Sequence, residues 1–311
     1  MAKLGFDGFK IEVIRAMKEK YSEENVRVVP VTKNNNLHLT GLAVSVPNSA
    51  GSKEGVGEIC PTVYLEYMYG DYEKGMSFEE VIENATKVIE ENLDCSTEII
   101  ETLGVIMDFD TIKRFIFPCV VNTELNSETL GEVPHRQFLD LSIVYKLYFD
   151  RDMPKLASLL IRDRLLKMWD ITEDQLYEAA MENLLAEDKM INLPIVCDMA
   201  TVLDSMSDGG VYRLLSREEI ERRMWLVSNR CTHFGATVML NQKFMKELYK
   251  GFGQEMIIIP SSVNEIIVLT EEDACLDELN ERIEEVNTES VQRNEILSNH
   301  YYRLTENGVS L

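Results

Sequence analysis

Apolar and polar residues change their spacing several times along this chain, and each change marks an expected element. Phe9, Val13, Ile14 and Met17 fall at helical intervals and predict a helix over residues 7–21. The runs at 26–31 and 37–46 alternate in part, which predicts two strands around the turn Lys33-Asn34-Asn35-Asn36. Another strand is expected at 61–65, entering a short tyrosine-rich helix. Ser77 with Glu80 has the form of a capping box, and Val81, Ile82, Ala85, Val88 and Ile89 then repeat on one helical face. Ser96 or Thr97 opens a further helix toward Asp110, and a strand is expected at 114–121.

The pattern weakens from Asn122 to Pro134, so the boundary between an N-terminal lobe, 1–125, and a C-terminal lobe, 126–311, is expected there. Residues 138–149 predict a strand with Leu139, Leu141, Ile143 and Tyr145 on one parity. The segment 157–169 reads as a strand turning into a helix, and Thr172 with Gln175 opens a helix through Leu185. A helix at 217–223, a strand at 225–228 and a strand at 236–240 leading into a helix at 241–249 follow. Strands at 256–259 and 265–269 flank Pro260-Ser261-Ser262-Val263-Asn264, a helix covers 273–286, and a strand spans 300–304. This order, with its hairpin-like connections, predicts an α+β fold of mixed, mostly antiparallel sheets with flanking helices.

Hydrophobic residues form 45% of the 311, enough to build a core and to argue against disorder. Charge changes the picture more. A formal net charge of −23 repels phosphate backbones and anionic membrane surfaces, so direct nucleic-acid binding and membrane association are not expected. It suits a basic protein partner, or an acidic inhibitor that imitates nucleic acid. The N-terminal residues lack the apolar core of a secretion signal, and Cys60, Cys95, Cys119, Cys197, Cys231 and Cys275 are widely and irregularly spaced. Both features predict a cytoplasmic protein with small buried thiols rather than a disulfide framework.

Two groups of residues carry chemistry that the spacing leaves open. His135, Arg136 and Asp140 supply a base, an anion clamp and an acid before one strand, the parts of a hydrolase or transferase if they share a pocket. Cys231 and His233 form the close Cys/His pair of the chain, as two zinc ligands awaiting others such as Cys197, Asp198 or His300, or as a thiol with its base. Gly51 to Gly57 holds glycines and Lys53 but precedes a strand and lacks the GK[ST] ending of a phosphate loop. Ser261-Ser262 reads as a turn rather than a nucleophile elbow. Arg213, Arg217, Arg222, Arg223 and Arg230 are interrupted by acids, whereas 271–285 is one-sidedly acidic over Leu276, Leu279, Ile283 and Val286. Tyr64, Tyr67, Tyr69 and Tyr72 with Met68 and Met76 suit a contact surface or a core edge.

The stretches PHRQFLDLSIVYKL, RDRLLKMWDITEDQLYEAAMENL, LVSNRCTHFGATVML and IIIPSSVNEIIVLTEED, with PTVYLEYMYGDYEKGMSFEEVIENA earlier, resemble an uncharacterised family of clostridial gut bacteria, a domain of unknown function. That resemblance implies a bacterial cytoplasmic setting and carries no activity, cofactor or catalytic residue to transfer. The reading is therefore a non-enzymatic binding or interaction protein without a cofactor, its partner met through the acidic or the Tyr/Met-rich surface.

Overall fold

Phe9, Val13 and Met17 recur every four residues and lie fully buried along one side of helix α1 (Phe6–Tyr21). They meet valines and leucines that recur every two residues on an antiparallel sheet of β1 (Val26–Lys33), β2 (Leu37–Val44) and β3 (Thr62–Tyr64). The register places Val26 opposite Val44 and Leu42 opposite Val63, so one face gathers the core. Helices α2 (Leu65–Glu73) and α3 (Phe78–Leu93) complete it with Leu65, Met68, Val81, Ala85 and Ile89. The computed structural model describes residues 3–45, 60–93, 108–148, 158–186, 194–198, 224–274 and 276–311. The chain divides into two units, Met1–Lys33 with Leu37–Asp108, and Asn34–Asn36 with Phe109–Leu311.

Most of the Tyr/Met-rich segment goes to the core of the first unit. Met68 is buried, Tyr69, Tyr72 and Met76 pack against the cluster, and the Tyr72 ring lies 5.1 Å from that of Phe9. Tyr67, at 44% exposure, faces outward. The expected capping box is formed: the Ser77 amide donates to the Glu80 carboxylate at 2.8 Å, and the Glu80 amide donates back to the Ser77 hydroxyl at 3.2 Å. Among the described residues β1 is an edge strand. Thr40 lies opposite Pro30 but donates its amide to the Glu66 carboxylate, so the Pro30 nitrogen faces the open side of the strand. A proline there removes a donor that an incoming strand would need.

The described residues of the second unit form two antiparallel sheets. In one, β6 (Leu141–Tyr148) pairs with β4 (Ile116–Asn122), β5 (Arg136–Phe138) and β7 (Ser158–Leu160). The other comprises β8 (Pro194–Asp198), β9 (Met224–Asn229), β10 (Met256–Ile259), β11 (Glu265–Thr270), β12 (Tyr302–Thr305) and β13 (Gly308–Ser310) in the order β13-β12-β10-β11-β9-β8. Helices α4 (Asp163–Trp169), α5 (Glu173–Leu185), α6 (Gln242–Phe252) and α7 (Leu276–Glu289) flank them. Helix α5 packs on β4, and its Asn183 amide donates to the carbonyls of Lys113 and Ile116. Helix α7 turns Leu279 and Ile283 onto Met224, Ile257, Ile267 and Leu269 of the larger sheet. The fold is α+β, with antiparallel sheets and flanking helices.

Two expectations need correction. Residues 138–149 are not one strand: Phe138 pairs directly with Leu141, so Leu139 and Asp140 form a two-residue hairpin turn. Residues 236–240 are not a strand either; Gly235–Leu240 is a fully buried 3-10 helix. A short apolar run reads alike for a buried strand and a buried helix, and here Gly235 decides. A Cβ on it would stand 2.0 Å from the Ser228 hydroxyl and 2.2 Å from the Asn264 carbonyl, so the backbone turns in against β9 at that point. The expected helix toward Asp110 lies mostly outside the described residues, as do the 48–57 loop and the 217–223 helix.

Asn34–Asn36 belongs to the second unit although β1 and β2 flank it in sequence. Asn35 and Asn36 take left-handed backbone, which asparagine tolerates better than most residues. The Asn126 side chain accepts the Asn35 amide and donates to the Asn35 side-chain oxygen, both at 2.7 Å. Asn35 Nδ2 in turn donates to the carbonyls of Arg293 and Ile296. Asn126→Ala strands two buried polar groups of Asn35, and urea unfolding should show a loss of about 3 kcal/mol. Gly235→Ala forces a methyl into backbone and should cost about 3 kcal/mol or more, read as a lower melting temperature or loss of soluble protein.

Candidate functional site

The turn at Leu139–Asp140 carries the most organised polar cluster around a residue expected from the sequence. Leu139 has φ 56°, at a turn position where two-residue hairpins ordinarily use glycine. What holds it is the next residue. Asp140 Oδ2 lies 2.8 Å from His300 Nε2, and Asp140 Oδ1 accepts the Tyr302 hydroxyl at 2.8 Å. Burial, with Asp140 adding to it against an opposing bond from Ser298, pushes the Tyr302 phenol well above its ordinary range. His300 Nδ1 lies 3.0 Å from the Tyr301 carbonyl. Both ring nitrogens therefore face oxygen atoms of the protein. Neither nitrogen is left to face a substrate, so the cluster acts as a pin between β12 and the β5–β6 turn.

His135, Arg136 and Asp140 go to different partners. The exposed His135 donates Nδ1–H to the Val133 carbonyl at 3.0 Å. Arg136 is held by Glu173 at 2.5 Å and by Asp174, with its guanidinium 4.1 Å from the Tyr177 ring. Tyr145 donates to the same Glu173. The Glu173 carboxylate raises the guanidinium further, and burial together with Glu173 raises the Tyr145 phenol. This network fastens the first turn of α5 to β5 and β6, and it uses the cation that an anion clamp would need.

Cys231 and His233 sit on a strained loop at the end of β9. Thr232 and Phe234 both take left-handed backbone, at φ 51° and 48°. Asn229 fixes the loop: its Nδ2 donates to the His233 carbonyl at 2.9 Å, and its Oδ1 faces the His233 amide and the Cys231 thiol, each at 3.3 Å. The His233 ring lies edge-on to Tyr148 and Phe234, with the Lys146 ammonium 3.7 Å from the Phe234 ring centroid. Burial first, then Lys146, lowers the imidazole to about 4, and burial raises the Cys231 thiol. An activated pair needs a thiolate beside an imidazolium; here the environment favours the neutral thiol and the neutral ring. Cys197 and Asp198 lie on β8 and His300 beside Asp140, and no group of three His, Cys, Asp or Glu among the described residues is placed to hold a metal ion.

The remaining expectations resolve simply. Ser262 donates to the Glu265 carboxylate at 2.6 Å and accepts the Asn264 amide, the bonding of a tight connection. On α7, Asp277, Glu278, Glu281, Glu284, Glu285 and Glu289 are all exposed, with Arg282 the one cation of that helix. The loop 51–57 and Arg213, Arg217, Arg222 and Arg223 lie outside the described residues. Sequence reasoning missed Tyr302 and the use of His300, because 160 residues separate His300 from Asp140 and nothing local couples them.

Protonation of His233 gives a pH signature. Its folded-state value lies below that of the unfolded chain, so the stability tied to the neutral ring is complete above about pH 6.5. That stability is lost as pH falls toward about 4. Discounted for the ring's partial exposure, the loss is about 2 kcal/mol. His233→Phe keeps the ring packing, and its unfolding free energy should fall less than that of the parent between pH 6.5 and 4; parallel curves would remove the assignment.

No curated protein and no solved structure matches the chain. Residues 6–305 match the family of unknown function DUF5688, so the chain belongs to that family.

Proposed function

We propose that this chain is a non-enzymatic binding protein of the bacterial, clostridial cytoplasm that receives a basic protein partner on the outer face of α7. One observation carries the reading. Six exposed carboxylates stand on fourteen residues of one helix, while its inner face is fixed to the larger sheet by Leu279 and Ile283. The face is thus rigid as well as charged, and the net charge of −23 gives it a field that draws cations from a distance. The hydrolase or transferase reading has less behind it: Arg136 is saturated by carboxylates and Asp140 is spent on His300 and Tyr302.

The test is affinity capture from a clostridial lysate at low and moderate salt, beside the variant Glu278→Lys/Glu281→Lys/Glu285→Lys. A basic protein held in fixed ratio by the parent should weaken by about tenfold or more in the variant and on raising the salt. A partner retained equally by both proteins and at both salts would place binding elsewhere, and a turnover abolished by His135→Ala or Asp140→Asn in a folded protein would replace the reading with an enzyme.

A further inference from the structure

The outward side of α1 presents a second surface, in the first unit and independent of α7. Ile11 is 65% exposed and Leu4 38% exposed, while the helix buries Phe9, Val13 and Met17 on its other side. An open groove of about 400 Å³ runs beside Ile11 and Ile14, walled by Arg15, Lys18, Glu19 and Glu23. Single exposed apolar residues need no explanation. The pattern around Ile11 does: Asp7, Ile11 and Arg15 follow one another at steps of four, so a single ridge reads acid, apolar, base.

That order is self-complementary. A two-fold axis through Ile11 sets the ridge of one helix antiparallel to the same ridge of another. Ile11 then meets Ile11, and each Asp7 meets the Arg15 of the second copy. The same operation carries Leu4 toward the aliphatic stem of Lys18 at the groove. Within its own chain Arg15 pairs with Glu12 and Glu19 on the exposed side, whereas Asp7 makes no ion pair among the described residues. We infer that the outer ridge of α1 docks a second copy of this chain as an isologous α1–α1 pair.

The contact is small and the association weak. One helix crossing buries less than the roughly 1,200 Å² of a stable interface. The charge of −23 on each copy opposes approach until salt screens it beyond about 8 Å. Sedimentation equilibrium at physiological salt, from low micromolar to near-millimolar protein, tests the inference with four variants. The parent should show a reversible monomer–dimer equilibrium. Ile11→Glu should weaken dimerisation by about tenfold or more. Asp7→Arg and Arg15→Asp each set like charges opposite one another and should also weaken it, while the double exchange Asp7→Arg/Arg15→Asp restores it. Circular dichroism confirms that each variant folds; the double exchange carries the same change at the helix start as Asp7→Arg, so its recovery separates docking from helix damage. A parent that stays monomeric throughout, an unchanged equilibrium in Ile11→Glu, or a folded double exchange that fails to recover would overturn the inference.

Discussion

A buried amide costs free energy for each donor or acceptor left without a partner, and the second unit holds one place where the side-chain groups are all met. Asn35 has no exposure at all, yet its backbone amide, side-chain oxygen and side-chain nitrogen are each bonded. Asn126 supplies two of those partners and spends its remaining donor capacity on the Asn122 carbonyl. Asn122 in turn reaches the Leu297 carbonyl and the Leu125 amide. The chain of amides therefore ties the end of β4, the segment at 293–297 and Asn34–Asn36 together, and any of them out of place leaves the rest unsatisfied.

The same device recurs where elements of this unit meet. Asn183 fastens α5 to the residues entering β4, Asn229 closes the strained loop at 231–234, and Asn287 ties α7 to the Ser298 carbonyl. Hydrophobic burial supplies the bulk of the driving force and is non-directional. Hydrogen bonds have fixed geometry, so the asparagines fix orientations that the apolar contacts leave free. The ion-pair network of Arg136 and the Asp140–His300–Tyr302 pin belong to this class, in which side chains of mixed chemistry bond to distant parts of the fold.

Legibility in the sequence followed the range of the interactions. Helix α1, the capping boxes at Ser77 and Thr172, and the hairpin of β10 and β11 rest on neighbours within a few residues, and local pattern revealed them. The turn at Leu139 was hidden because leucine is a poor residue for left-handed backbone and is held there by His300 and Tyr302, far along the chain. The 3-10 helix at Gly235–Leu240 was hidden for a similar reason: the crowding that bends it comes from Ser228 and Asn264. Candidate chemistry was legible as residue types and not as sites, since nothing near His135 or Arg136 in sequence announces Glu173.

The position of Asn34–Asn36 in the chain also sets an order of events during synthesis. These three residues leave the ribosome well before their partners: those at Asn126 and Thr129 follow some ninety residues later, and those at Arg293 and Ile296 about 260 residues later. Until then Asn35 can only be hydrated. The strands on either side can pair at once, so a hairpin waits with an open tip until those partners emerge. Closing so distant a contact costs loop entropy before it returns any bond. The second unit thus has a natural last step, the seating of an early segment into a site whose walls are made late, and a chain halted before Ile296 carries that segment without its socket.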